Sequence, residues 1–144
     1  MMYNSTRDKS CRVSAAHAIV HGLAPDGGLF VPEELPKLSL AQIEALSKTD
    51  YRGRAEELLS LFLDEFDRAE IKRIVSAAYG DNFYDAAVAP LHIIDGKTAV
   101  LELWHGPTCA FKDMALQILP HLLTRALKKE QTDRTAVILV ATSG

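Results

Sequence analysis

The segment His105-Gly106-Pro107-Thr108-Cys109-Ala110-Phe111-Lys112-Asp113-Met114-Ala115-Leu116-Gln117 places one lysine where its chemistry can matter. A helix is expected over residues 110–129, with Thr108 as its N-cap, so Lys112 falls in the first helical turn. A cation there opposes the helix dipole at a cost of about 0.3–1 kcal/mol. Partial removal from water favours the neutral form of a lysine. The neutral amine is the form that attacks an aldehyde, so this placement suits Schiff-base chemistry. A surface lysine reaching water along its own stem has the same placement and, on placement alone, is the commoner case.

The elements that must position this segment follow from periodicity and capping. Residues 2–7 read as a short edge strand ending at Arg7. Residues 14–21 read as a short helix, with Ser14 as N-cap and Gly22 just past its end. Asp26-Gly27-Gly28 is a turn, because glycine supplies the positive φ that tight turns require. A short strand over 29–31 then ends at Pro32. Three helices follow. The first opens at Ser39, with Gln42 completing a capping box. The second covers about 54–65. The third starts at Asp67 with Glu70 behind it, carries Ile71, Ile74, Val75, Ala78 and Tyr79 on one face, and stops at Gly80. Residues 91–94 and 98–104 flank Asp95-Gly96 and predict a hairpin with a two-residue turn. Pro120 removes a hydrogen bond inside the 110–129 helix and should kink it.

Residues 135–141 are almost uniformly apolar and β-branched, the pattern of a buried parallel strand, and lead into Thr142-Ser143-Gly144. Such a strand needs parallel neighbours joined by crossovers, and the sequence supplies few. The expectation is therefore part of a larger α/β protein, cut at a functional turn. The 144 residues still suffice for one respectable core. The apolar share of 48% and charged share of 24% are ordinary for a globular protein. A net charge of −3 gives no electrostatic support to a nucleic-acid partner. Cys11 and Cys109 form no metal-ligand spacing, so no metal is expected. No apolar run approaches the roughly 20 residues of a membrane span. The N-terminus lacks a signal-peptide pattern, and a cytoplasmic, reducing setting is the expectation.

The lysine segment resembles the HGPT-x-AFKD-x-A-x-Q signature of threonine synthases, whose lysine carries pyridoxal 5'-phosphate. Tyr3-Asn4-Ser5-Thr6-Arg7 is similar to that family's Y-x-STR, residues 26–32 to its DGGL-x-VP turn, and residues 141–144 to the first half of its ATSGDTG loop. The four matches fall in the family's order and span essentially the whole chain. The resemblance implies the fold type II architecture of pyridoxal-phosphate enzymes, the tryptophan synthase β-like class, with a helical N-terminal region before a parallel sheet. Residues 1–90 would form that mostly helical region, and 91–144 the start of the cofactor-binding α/β domain.

The implied activity is a carbon–oxygen lyase acting on phosphates, which converts O-phospho-L-homoserine and water to L-threonine and phosphate. Lys112 would hold the cofactor and move protons, with Phe111 and Asp113 beside it fixing its direction. Thr142, Ser143 and Gly144 would receive the substrate carboxylate through hydroxyls and backbone N–H groups. Arg7 either meets substrate phosphate or forms a surface ion pair. His105 either contacts a phosphate or hydrogen-bonds the loop backbone. Asp26, Gly27 and Gly28 read as turn architecture. Asp8 stands where the family pattern has glycine, and Cys109 replaces a larger apolar residue. The glycine-rich loop for the cofactor phosphate is expected downstream of Gly144. The isolated chain should therefore be inactive, bind the cofactor weakly or not at all, and self-associate through the apolar segment 135–141 left uncovered. Two other readings are a related phospholyase on another phosphorylated amine or amino acid, and a non-catalytic interaction domain.

Overall fold

A computed structural model describes residues 1–132 and 135–139. The chain begins with β1 (Met2–Ser5), β2 (Arg12–Ser14) and, after a helix, β3 (Phe30–Pro32), which form an antiparallel sheet in the order β2-β1-β3. Residues 2–7 are expected at a sheet edge, but β1 is the central strand. Met2 pairs with Ser14 on one side, and Tyr3 and Ser5 pair with Pro32 and Phe30 on the other. The reversal at Asp26-Gly27-Gly28 returns the chain to the free side of β1, a long-range event that local pattern does not announce. Pro32 closes β3, where its missing donor costs the ladder nothing.

Capping residues set the helices. Ser14 caps α1 (Ala15–His21) by accepting from the His17 amide, and Gly22 takes φ 69° at its end. Ser39 and Gln42 form the expected capping box on α2 (Leu40–Ser47). Helix α3 (Tyr51–Phe62) begins three residues before the expected start, because the Asp50 carboxylate accepts from the Gly53 amide and fixes the cap there. Asp67 caps α4 (Arg68–Ala78) through the Glu70 amide at 2.7 Å.

The apolar face of α4 is the centre of the core. Ile71, Ile74, Val75, Ala78 and Tyr79 are buried, with Ala15 and Ala16 of α1, Phe66, Phe83, Val88 and Ala126 around them. Burying a side chain such as Ile71 contributes roughly 1.5–3 kcal/mol, which makes this face the main reason the helices stay together.

The buried Glu70 carboxylate is compensated from a distant helix. Arg125 forms an ion pair with it, and the Lys129 ammonium lies 3.8 Å away. Replacing Arg125 with methionine keeps the stem and leaves Glu70 buried beside a weaker partner. The expected loss is about 2–3 kcal/mol, below the roughly 3–5 kcal/mol of a fully buried pair because Arg125 reaches solvent. Chemical denaturation of the full-length protein would measure it. An unchanged midpoint would show that Lys129 alone neutralises the carboxylate.

β4 (Leu91–Ile93) and β5 (Ala99–Leu101) form the expected hairpin, with Leu91 opposite Leu101. Its connection spans residues 94–98 instead of a two-residue turn. The Asp95 carboxylate accepts from the amides of Lys97 and Thr98, each at 2.8 Å, and this side-chain cap replaces the tight turn. Those two amides hold the Asp95 carboxyl below the usual carboxylate range.

The expected kinked helix over 110–129 is two helices. α5 (Asp113–Leu116) is a single turn, and α6 (Leu119–Lys129) follows with Pro120 in its first turn. Proline is tolerated there because its missing N–H has no helical partner to satisfy. Residues 135–139 carry no strand and are exposed. A strand exists only through ladder partners, and no parallel strand lies among the described residues. The remainder of the expected strand, Val140 and Ala141, lies outside the described residues. Among the described residues, no helix is long and apolar enough to cross a membrane.

Candidate active site

The loop from His105 to Lys112 is shaped by one buried carboxylate. Asp113 has no exposed surface, and its Oδ2 accepts from the Thr108 amide at 2.8 Å and the Thr108 hydroxyl at 3.0 Å. Thr108 therefore donates to the first residue of α5 and does not cap the helix. A capping Thr108 would accept through its hydroxyl, whereas the buried Asp113 carboxylate makes that hydroxyl a donor. Gly106 lies flat against the same carboxylate, where a Cβ would stand 2.5 Å from Asp113 Cβ. Between them Cys109 takes φ 55° and its amide donates to the Gly106 carbonyl at 3.1 Å, turning the chain back on itself.

This double turn delivers Lys112 to the start of α5. Its carbonyl accepts from the amides of Ala115 and Leu116, so the backbone is fixed while the side chain points away from the core. Partial removal of Lys112 from water is expected from the sequence, yet the side chain is exposed. The residues packed nearby, Gly106 and Asp113, shape its backbone and do not cover it. Among the described residues the Lys112 amine has neither a hydrogen-bond nor an ion-pair partner. Phe111, 64% exposed, stands beside it as a bare aromatic face.

The structure knits the first two motifs together. The Ser5 hydroxyl donates to the Asp26 carboxylate at 2.8 Å, which also accepts from the Gly28 amide at 2.8 Å. Arg7 donates to the Asp26 main-chain carbonyl at 2.9 Å over Gly27, which takes φ 76°. Its partner is thus a backbone oxygen, and among the described residues Arg7 forms no ion pair. Asp26, Gly27 and Gly28 are turn architecture, as their types suggest. The His105 side chain pairs with the Glu102 carboxylate at 2.6 Å and leaves the loop backbone alone. Thr142, Ser143 and Gly144 lie outside the described residues.

Two residues outside the motif also hold this segment. Asn82 donates to Gln117 at 3.0 Å, and the Tyr79 hydroxyl donates to the Met114 carbonyl at 2.7 Å. Burial, then the neighbouring Tyr51, pushes the Tyr79 hydroxyl above the usual phenol range, so it remains a donor at neutral pH. Tyr79 shows only as part of an apolar stripe in the sequence, and no local signal links either residue to a segment 35 positions away.

Residues 2–79 match the family of threonine synthase N termini. The chain is 41% identical over 145 residues to a threonine synthase of Pseudomonas aeruginosa, covering 100% of this chain and 30% of that protein. It is also 41% identical over 132 residues to threonine synthase-like 1 of Pongo abelii, covering 90% of this chain and 17% of that protein. Among solved structures, it superposes on a pyridoxal-phosphate-bound threonine synthase from Brucella melitensis with a TM-score of 0.85 at 40% identity, covering 91% of this chain and 28% of that one. For the threonine synthase of Escherichia coli the TM-score is 0.79 at 34% identity, covering 88% and 28%. The chain belongs to the threonine synthase family. Its fold is the N-terminal part of that family's fold type II architecture, and it spans less than a third of the length of these relatives.

Proposed function

We propose that the full-length protein is a threonine synthase that holds pyridoxal 5'-phosphate at Lys112 and converts O-phospho-L-homoserine and water to L-threonine and phosphate. The observation that carries this reading is the Lys112 amine, exposed and without a partner among the described residues, on a backbone that Asp113 and Gly106 fix from beneath. A free primary amine on a rigid turn fits an aldehyde cofactor. The exposed Phe111 ring beside it offers a face for a flat heterocycle. When bound, the cofactor supplies an electron sink for chemistry at the substrate carbons.

The chain's own residues then do the following. Lys112 holds the cofactor through Nζ and, released from it, carries protons to and from the substrate carbons. Asp113 keeps the loop in register, so that Nζ returns to the same place. Thr142, Ser143 and Gly144 receive the substrate carboxylate. Arg7, exposed on the Asp26 carbonyl, exchanges that contact for the substrate phosphate. Residues 1–90 form the helical N-terminal region, and 91–144 open the cofactor domain. The chain alone is inactive, because the loop for the cofactor phosphate lies downstream, and it self-associates through the apolar segment 135–141, of which Val137, Ile138 and Leu139 are exposed. A cytoplasmic setting, a carbon–oxygen lyase class and a small-molecule substrate, with no nucleic-acid or membrane partner, belong to the same proposal.

Equal identity to threonine synthase-like 1 favours a second reading, a phospholyase on a related phosphorylated substrate. One assay separates them. The purified full-length protein, given O-phospho-L-homoserine, should release phosphate and threonine one for one. Phosphate without threonine, or release only from another phosphorylated amine, would replace the first reading with the second.

A further inference from the structure

We infer that the turn following α4 positions the lysine loop, with Tyr79 and Asn82 as positioning residues that act on Lys112 through Met114 and Gln117. Three hydrogen bonds from this one turn bracket Lys112. The Tyr84 amide donates to the His105 carbonyl at 2.8 Å, on the N-terminal side of the loop. The Tyr79 hydroxyl donates to the Met114 carbonyl at 2.7 Å, two residues beyond Lys112. Asn82 Nδ2 donates to Gln117 Oε1 at 3.0 Å, one turn further on.

Each anchor is itself held. Asn82 Oδ1 accepts from the Gly80 amide at 3.1 Å, while Nδ2 also donates to the Ala78 carbonyl at 3.1 Å. A carboxamide has two N–H bonds, so both acceptors are served at once and the side chain has one orientation left. The Tyr79 ring is buried and packs against Tyr51 at 5.0 Å and Phe83 at 5.9 Å. Gln117 in turn faces Asp113 Oδ1 at 3.4 Å, which continues the connection to the carboxylate under the loop.

The consequence follows from the size of α5. It is a single turn of four residues. One turn cannot hold itself, because nucleation costs more than its first hydrogen bond returns. The direction of Lys112 is thus set by the helical region, which reaches across through Tyr79 and Asn82. This inference rests on the proposal that Lys112 holds the cofactor, yet the anchoring can be tested without it.

Three variants of the full-length protein suffice: Tyr79→Phe, which keeps the ring, Asn82→Ala, and Asn82→Ala combined with Gln117→Ala. With the cofactor removed, amide exchange over residues 106–117 should accelerate by about 3- to 10-fold in each single variant, the order one hydrogen bond contributes. Exchange in α1 should stay unchanged. The double variant should exceed Asn82→Ala only by the share of the long Gln117–Asp113 contact, because the Asn82–Gln117 bond is already gone in the single variant. With cofactor bound, the circular-dichroism amplitude of its absorption band should fall, since that signal reads the orientation of the chromophore. Turnover should drop while KM moves little. Unchanged exchange over 106–117 would overturn the inference, as would acceleration confined to α4. If exchange responds but the cofactor proves to be attached to another lysine, the anchoring stands and the assignment of Lys112 falls.

Discussion

Lys112→Ala should lose at least about a thousandfold in turnover while the protein remains folded. The residue combines two roles, attachment of the cofactor and proton transfer, and positioned proton transfer alone contributes about 10²–10⁴-fold. Stability should be nearly unaffected, because the side chain is exposed and has no partner among the described residues. Lys112→Arg separates charge from chemistry, since a guanidinium keeps the positive charge and cannot attack an aldehyde. It should be as inactive as the alanine variant. Steady-state assays with circular dichroism as a folding control would check both. Activity in the arginine variant would reduce Lys112 to an electrostatic role.

Gly106→Ala is the second large effect expected, and it acts through shape alone. The new methyl would stand 2.5 Å from Asp113 Cβ and 2.6 Å from Asp113 Oδ2. Contacts below 3.0 Å cannot persist, and the buried carboxylate has nowhere to retreat without releasing the Thr108 amide and hydroxyl. The loop must therefore shift, and Lys112 shifts with it. A displacement of about 1 Å at a reacting group can cost on the order of 100-fold in rate. Turnover should fall by about that much, with a smaller loss of stability than a core cavity would cause. Near-normal turnover would mean that the loop relaxes without moving the amine.

The way this chain folds shows why some of it could be read in advance. Ser14, Ser39 and Asp67 bond to amides three residues away, so their helix starts are written within a single turn of sequence. The α4 face is legible for the same reason, since Ile71, Ile74, Val75 and Ala78 repeat at the helical period and are all buried. Asp50 is the same kind of signal, and its bond to the Gly53 amide starts α3 before the apolar pattern does.

Pairings across distance were not legible. β1 sits at the centre of its sheet only because β3, nearly thirty residues on, returns to Tyr3 and Asn4. Pro120 predicts a kink inside one helix, yet the first turn of a new helix accommodates it without loss. The residues with chemistry stood out through their resemblance to a family motif. Of the residues that aim them, Tyr79 reads only as part of an apolar stripe and Asn82 carries no local signal.

The most direct test of the central claim is to reduce the cofactor-loaded full-length protein with borohydride and map the modified peptide. The pyridoxyl group should be attached to Lys112 within the peptide that contains His105 to Gln117, at close to one per chain. Attachment to Lys97, Lys128 or any other lysine would contradict the assignment.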